Sequence, residues 1–141
     1  MKNSIYKGYI SSRAIQGLKI PQRIQNLVIR TYVEKNNKKF SLSATEYVME
    51  NCFMVLNALL KELENYEGLA FYSLHMLPAK KEERFRVYSE CLVNEVQIHF
   101  ALEELVIRTQ KDIQLIEDII LVKELTQSPV NFAGLMDLIC R

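Results

Sequence analysis

The residues able to do chemistry are few and fall in short groups. Ser11, Ser12 and Arg13 stand together near the amino terminus. Ser43, Thr45 and Glu46 form a second group with Asn51 just beyond, Ser73 and His75 flank a leucine, and Glu103 precedes a second glutamate. An arginine such as Arg13 can grip a carboxylate or another anion as a bidentate fork, although a solvated loop arginine is its plainer reading. A histidine such as His75 titrates near neutral pH, so it suits proton transfer, and a structural histidine at a strand end is the common alternative. Glu46 can serve as a second acid or base, or simply cap and charge-stabilise a helix start. The serines become nucleophiles only with a base in reach, and otherwise donate and accept hydrogen bonds. His75 and His99 are the two histidines, with no ligand spacing around them, so no metal is expected. Gly8 and Gly17 belong to no phosphate-cradling loop, so no nucleotide cofactor is expected through that device.

For these groups to meet, the chain must carry them to one edge. Four segments of strand length and composition stand at 5–10, 39–43, 69–74 and 96–102. Helical patterns separate them, at 22–36 after Pro21, at 46–65 with Ser43 or Thr45 as cap and Gly68 as stop, at 80–94, and from about Thr109 onward. Ile119–Val122 fits either the end of that last helix or a fifth strand, with helix the preferred reading. The tail 126–141 reads as a short extension whose 135–139 stretch suits one more helical turn. Alternating strands and helices predict an α/β fold. The expected architecture is a single three-layer domain over 1–141 with its core at about 5–125. Its mainly parallel sheet of four to five strands is flavodoxin-like, in the order 2-1-3-4. Such sheets bind ligands beyond the carboxyl ends of their strands, where the strand order switches, and that edge is where the groups above would lie.

Composition narrows the class. Of the 141 residues 49% are hydrophobic and 25% charged, and 18 basic against 17 acidic side chains leave a formal charge of +1. Such balance gives no general pull toward nucleic acid or an anionic membrane. Cys52, Cys91 and Cys140 have no paired spacing and read as core or tail positions in a reducing cytoplasm. No apolar run has the length of a membrane span, and the amino terminus lacks the apolar core of a signal peptide.

Two resemblances attach to particular residues. Gly8-Tyr9-Ile10, Gln22, Leu69 to Leu74 and Ile98 to Glu104 resemble the first, third and fourth strands and the helical glutamine of the serine-recombinase (resolvase) catalytic domain, over residues 5–120. That implies a resolvase-like fold without its chemistry. Ser11 and Arg13 stand in the reverse of the family's arginine–serine order, His75-Met76 replace its Asp-Arg pair, and Ala79 falls near a further family arginine. Gly8-Tyr9-Ile10 again, Pro21-Gln22, Gln25 to Arg30, Leu42-Ser43-Ala44-Thr45-Glu46-Tyr47, Met49-Glu50-Asn51-Cys52, Tyr72 to Leu74 and Leu121 to Lys123 are similar to the small "sporadic carbohydrate cluster" family of bacterial surface-polysaccharide and lipopolysaccharide gene clusters.

The second resemblance implies a cytoplasmic protein of surface-carbohydrate biosynthesis that binds or modifies a sugar or an anionic sugar derivative. His75 and Glu46 are the expected acid–base groups. Arg13, Ser11, Ser12, Gln22, Ser43, Thr45, Asn51, Ser73 and Glu103 are the expected ligand contacts. Whether the chain is an enzyme stays open at this stage. A homo-oligomeric scaffold, for which the apolar run 113–125 offers a surface, and a degenerate recombinase-like DNA binder are the alternatives.

Overall fold

The computed structural model describes residues 4–127. Cys140, Pro129, Gly134 and the expected turn at 135–139 lie outside the described residues. β1 (Ile5–Ser11) stands between β2 (Lys39–Glu46) and β3 (Gly68–Phe71), and β4 (Gln97–Phe100) follows β3. These pairings are all parallel. A short β5 (Leu105–Ile107) then closes the sheet antiparallel to β4, in the order β2-β1-β3-β4-β5. The expected order holds through four strands. The fifth strand is Leu105–Ile107, too brief to display an alternation. Ile119–Val122 instead lies within helix α4 (Gln110–Gln127).

Both faces of the sheet are covered. Tyr6 on β1 and His99 on β4 share one face, with ring centroids 4.7 Å apart. Tyr32 of helix α1 (Gln22–Lys35) joins them through a 2.6 Å contact to His99 Nδ1. Tyr9, three residues after Tyr6, emerges on the opposite face because successive side chains alternate. There it packs on Phe71 at 4.8 Å, and Phe71 on Phe100 at 5.6 Å. Strands buried on both faces read as nearly continuous apolar runs, and every residue of β3 is buried.

Local chemistry sets the helix ends. α1 starts just after Pro21, as its sequence predicts, and closes at Asn37 (φ 60°). Asn37 N–H donates to the Glu34 carbonyl and Lys38 N–H to that of Val33, the paired bonds of a Schellman turn. Helix α3 (Lys81–Val93) ends the same way, with Glu95 (φ 58°) in the left-handed position that glycine or asparagine usually fills.

The region after β2 departs from expectation. Pairing with β1 runs on through Ser11↔Glu46, so Ser43, Thr45 and Glu46 are strand residues and not a helix start. Helix α2 is only Met54–Leu59. The apolar spacing of 48–63 had suggested one long helix. Instead Val48 and Met49 are exposed, while Leu56, Leu59 and Leu63 supply the buried positions. Gly68 is the first residue of β3, not a helix stop, and a side chain there would press on the Tyr6 ring at 3.1 Å. Cys52 sits half-buried outside any helix, whereas Cys91 is buried on α3.

Contacts divide the chain into one unit ending at Arg108, which holds the whole sheet, and another beginning at Thr109. α4 opens the second unit. Its first turn is fixed by Asp112, whose Oδ2 accepts from both the backbone N–H (3.0 Å) and the hydroxyl (3.3 Å) of Thr109.

Candidate functional site

The chain passes from β1 to β2 on one side of the sheet and to β3 on the other, so the strand order switches beside the carboxyl ends of β1 and β3. A cleft of about 230 Å³ opens there. Ser11 and Arg13 line it from the end of β1, Asn51 from the loop after β2, and His75 from the turn after β3. Four sequence-predicted residues therefore meet at the expected edge. Glu50 and Phe53 also line the cleft.

Ser11 is almost wholly buried, and its Oγ accepts the Arg13 backbone N–H at 3.1 Å. Its position is locked by Gln25, a fully buried α1 residue. Gln25 Oε1 accepts from Ser11 N at 3.0 Å, while its Nε2 donates to the carbonyls of Ser11 and Ile20, at 2.9 Å each. One carboxamide thus gives the end of β1 the paired bonds that a further strand would supply. Sequence reasoning passed over Gln25. Its one signal is position, four residues before Ile29 and eight before Val33, on the buried stripe of α1.

Arg13 commits one of its terminal nitrogens to the protein itself. Its Nη1 donates at 2.8 Å to the carbonyls of both Met49 and Cys52, and its guanidinium lies 4.6 Å over the Phe53 ring. The side chain clamps the loop that forms one wall of the cleft.

Glu46 lies beneath that wall, with none of its surface exposed. Its Oε1 accepts from the Tyr9 hydroxyl at 2.7 Å and from Leu56 N at 3.1 Å. Its Oε2 accepts from Tyr47 N at 3.2 Å and Val55 N at 3.1 Å. All four donors are satisfied by one carboxylate, which caps α2 from the end of β2. Burial first, then the hydrogen bond to Glu46, raises the Tyr9 phenol well above its ordinary value. A carboxylate so enclosed has no open approach for a substrate proton, which favours the capping role over acid–base work.

The other candidates scatter. Ser73 is buried and donates to Glu103 Oε2 at 2.7 Å, and Glu103 Oε1 accepts from Leu74 N at 3.0 Å. This pair ties the ends of β3 and β4 together and shapes the turn carrying His75. Gln22 donates to Ser12 Oγ at 3.0 Å beside the cleft. Ser43 and Thr45 stay on β2 away from it, and the buried Ser43 Oγ has no hydrogen-bond partner. Arg84, buried on α3, holds the far wall by donating to the carbonyls of Pro78 (3.2 Å) and Ala79 (2.7 Å). Among the described residues no cluster of three His, Cys, Asp or Glu could hold a metal, and no helix is long and apolar enough to cross a membrane.

Solved structures share this architecture. The chain is similar to the N-terminal catalytic domain of TP901-1 integrase, with a TM-score of 0.62 and 14% identity, over 87% of this chain and 96% of that one. It is also similar to a resolvase family site-specific recombinase from Streptococcus pneumoniae, with a TM-score of 0.60 and 8% identity, over 96% and 99%. The fold is resolvase-like. No protein-family model and no curated protein matches the chain. At these identities the likeness carries the fold alone.

Proposed function

We propose that the cleft between the carboxyl ends of β1 and β3 binds a sugar or a sugar derivative, and that the protein serves surface-carbohydrate biosynthesis in the bacterial cytoplasm. The observation that carries this reading is the convergence of Ser11, Asn51 and His75 at the switch in strand order, behind a loop clamped by Arg13. At about 230 Å³ the cleft lies below the roughly 300–1,000 Å³ of sites for drug-sized ligands, so it suits a single sugar unit. Of the stretches that carry the carbohydrate-cluster resemblance, Met49 to Asn51 belongs to this wall and Glu46 lies beneath it, whereas Ser43 and Thr45 stay on β2. His75 is the acid–base candidate if the ligand is transformed, because it lines the cleft whereas Glu46 is enclosed.

Thermal unfolding against neutral monosaccharides, sugar phosphates and nucleotide sugars tests the reading. A compound at about 100 times its dissociation constant adds roughly 2.7 kcal/mol to stability. A midpoint shift for one class, lost in His75→Ala, is the expected result. No shift across the panel would overturn it.

A second reading, a recombinase-like DNA binder without recombinase chemistry, is favoured by the likeness in fold to an integrase catalytic domain and a site-specific recombinase. It requires retardation of duplex DNA at low salt, where phosphate contacts bind most strongly. Free migration of the duplex under those conditions removes it.

A further inference from the structure

Helix α1 carries two stripes at helical spacing. Gln25, Ile29 and Val33 are buried and hold the helix to the sheet. Ile24, Leu27, Val28 and Thr31 make the second stripe, and Leu27 is 59% exposed. Beside it Leu102, in the turn between β4 and β5, is 53% exposed. A hollow of about 440 Å³ opens between them, with Val28, Tyr32 and Ala101 also in its lining. Lys35 and Glu104, paired at 3.0 Å, stand at its border. Adjoining apolar side chains left in water with charges around them mark an interaction surface, and an aliphatic lining suits aliphatic side chains.

The charges beside the stripe say what fits. Arg23 and Glu34 are both exposed, and neither takes part in an ion pair among the described residues. They are about three helical turns apart, so they lie on the same flank of the stripe. Arg30, between them on that flank, is drawn aside over the Phe40 ring of β2 at 5.4 Å. A second α1 laid antiparallel on the first can set its Arg23 level with this Glu34. A two-fold axis repeats each contact, so the opposite-charge pair forms twice. The same register brings Ile24 level with Val33 and Leu27 level with Arg30, within the stretch from Leu27 to Lys35 that borders the hollow. A parallel arrangement would instead set Arg23 against Arg23 and Glu34 against Glu34, which repel.

We propose that two copies of this chain pair through α1, antiparallel. Ile24 and Leu27 of each copy sit in the other's hollow beside the partner's Leu102, and Arg23 faces the partner's Glu34 at both borders. The pairing stands independently of the sugar-binding reading.

Sedimentation of the full chain across micromolar concentrations tests it, and a dimer is the expected species. Leu27→Asp should leave a monomer. Because Leu27 is exposed, that variant should keep the parent's melting midpoint. Arg23→Glu and Glu34→Arg each set like charges face to face and should weaken the dimer by about three- to tenfold. Their combination restores both pairs in reversed sense and should recover the parent's association. A parent that stays monomeric would overturn the proposal. A dimer that survives Leu27→Asp is held by another surface, such as 113–125, and overturns it equally. Dissociation by Leu27→Asp without recovery in the double charge variant would refute the antiparallel register, and the proposal with it.

Discussion

Glu46 Oε1 lies 2.7 Å from the Tyr9 hydroxyl, a buried bond between residues 37 positions apart on neighbouring strands. Through the same carboxylate the backbone of α2 is fastened to the sheet. The wall carrying Asn51 and Phe53 is therefore positioned from beneath by Glu46 and from the side by Arg13.

Replacing Glu46 by Gln should lower stability by about 2–3 kcal/mol, because a charged acceptor is lost and an amide N–H₂ is set against backbone N–H donors. Urea unfolding reads the midpoint. Faster amide exchange at Val55 and Leu56 should accompany the shift. A variant as stable as the parent would show that the carboxylate does not hold α2.

Gly8 faces the irregular stretch of β2, where the register slips between Lys7↔Ser41 and Tyr9↔Ala44. A Cβ at Gly8 would stand 2.1 Å from Ser43 Oγ and 2.9 Å from Phe40 Cε2. Gly8→Ala should therefore cost about 1–3 kcal/mol. Ser43→Ala should be neutral or stabilising, since it removes a buried hydroxyl without a partner. Combining the two should recover part of the Gly8→Ala loss, because one of the two clashing atoms is gone. A thermal melt series of the three variants decides it, and strict additivity would contradict the clash.

His99 accepts a hydrogen bond from Tyr32 at Nδ1, and its Nε2 lies 2.8 Å from Gln97 Oε1, so the neutral Nε2–H form satisfies both. Burial, followed by the positive charges of Arg108 and Lys38, lowers its pKa from 6.5 to about 4. The unfolded chain takes up this proton near pH 6.5 and the folded chain only near 4. Below 6.5 the unfolded state thus binds more protons, and stability falls as pH drops. The loss should reach about 3 kcal/mol by pH 4. Stability against pH for the parent and His99→Gln should differ in slope across that window. Parallel curves would refute the shift.

Glu95 occupies the left-handed closing position of α3 at φ 58°, where a Cβ is unfavourable. Glu95→Gly should raise stability by about 1 kcal/mol through relief of that strain. A lower melting temperature than the parent would mean that the Glu95 side chain contributes something the backbone argument omits.

The sequence by itself determined the class of fold, the order of the first four strands and the edge at which a site would form. Strand and helix periods are local, and Pro21 and the apolar run Leu69–Phe71 report them without reference to anything distant. It also marked Ser11, Arg13 and His75 as candidates, because each follows a strand end on that edge, and Asn51 through the Met49–Cys52 stretch of the carbohydrate-cluster resemblance. Tertiary structure decided their roles. Glu46 reads locally as a helix start, yet parallel pairing with Ser11 draws it into β2 and surrounds it with four donors. Arg13 reads as an anion fork, yet two carbonyls from a loop far along the chain occupy its Nη1. Gln25 lies at the spacing of the buried stripe of α1, yet only the end of β1 laid beside it supplies the partners of its amide. A short stretch of sequence records which face of an element is apolar, whereas the partner of a polar group depends on which distant element packs against it.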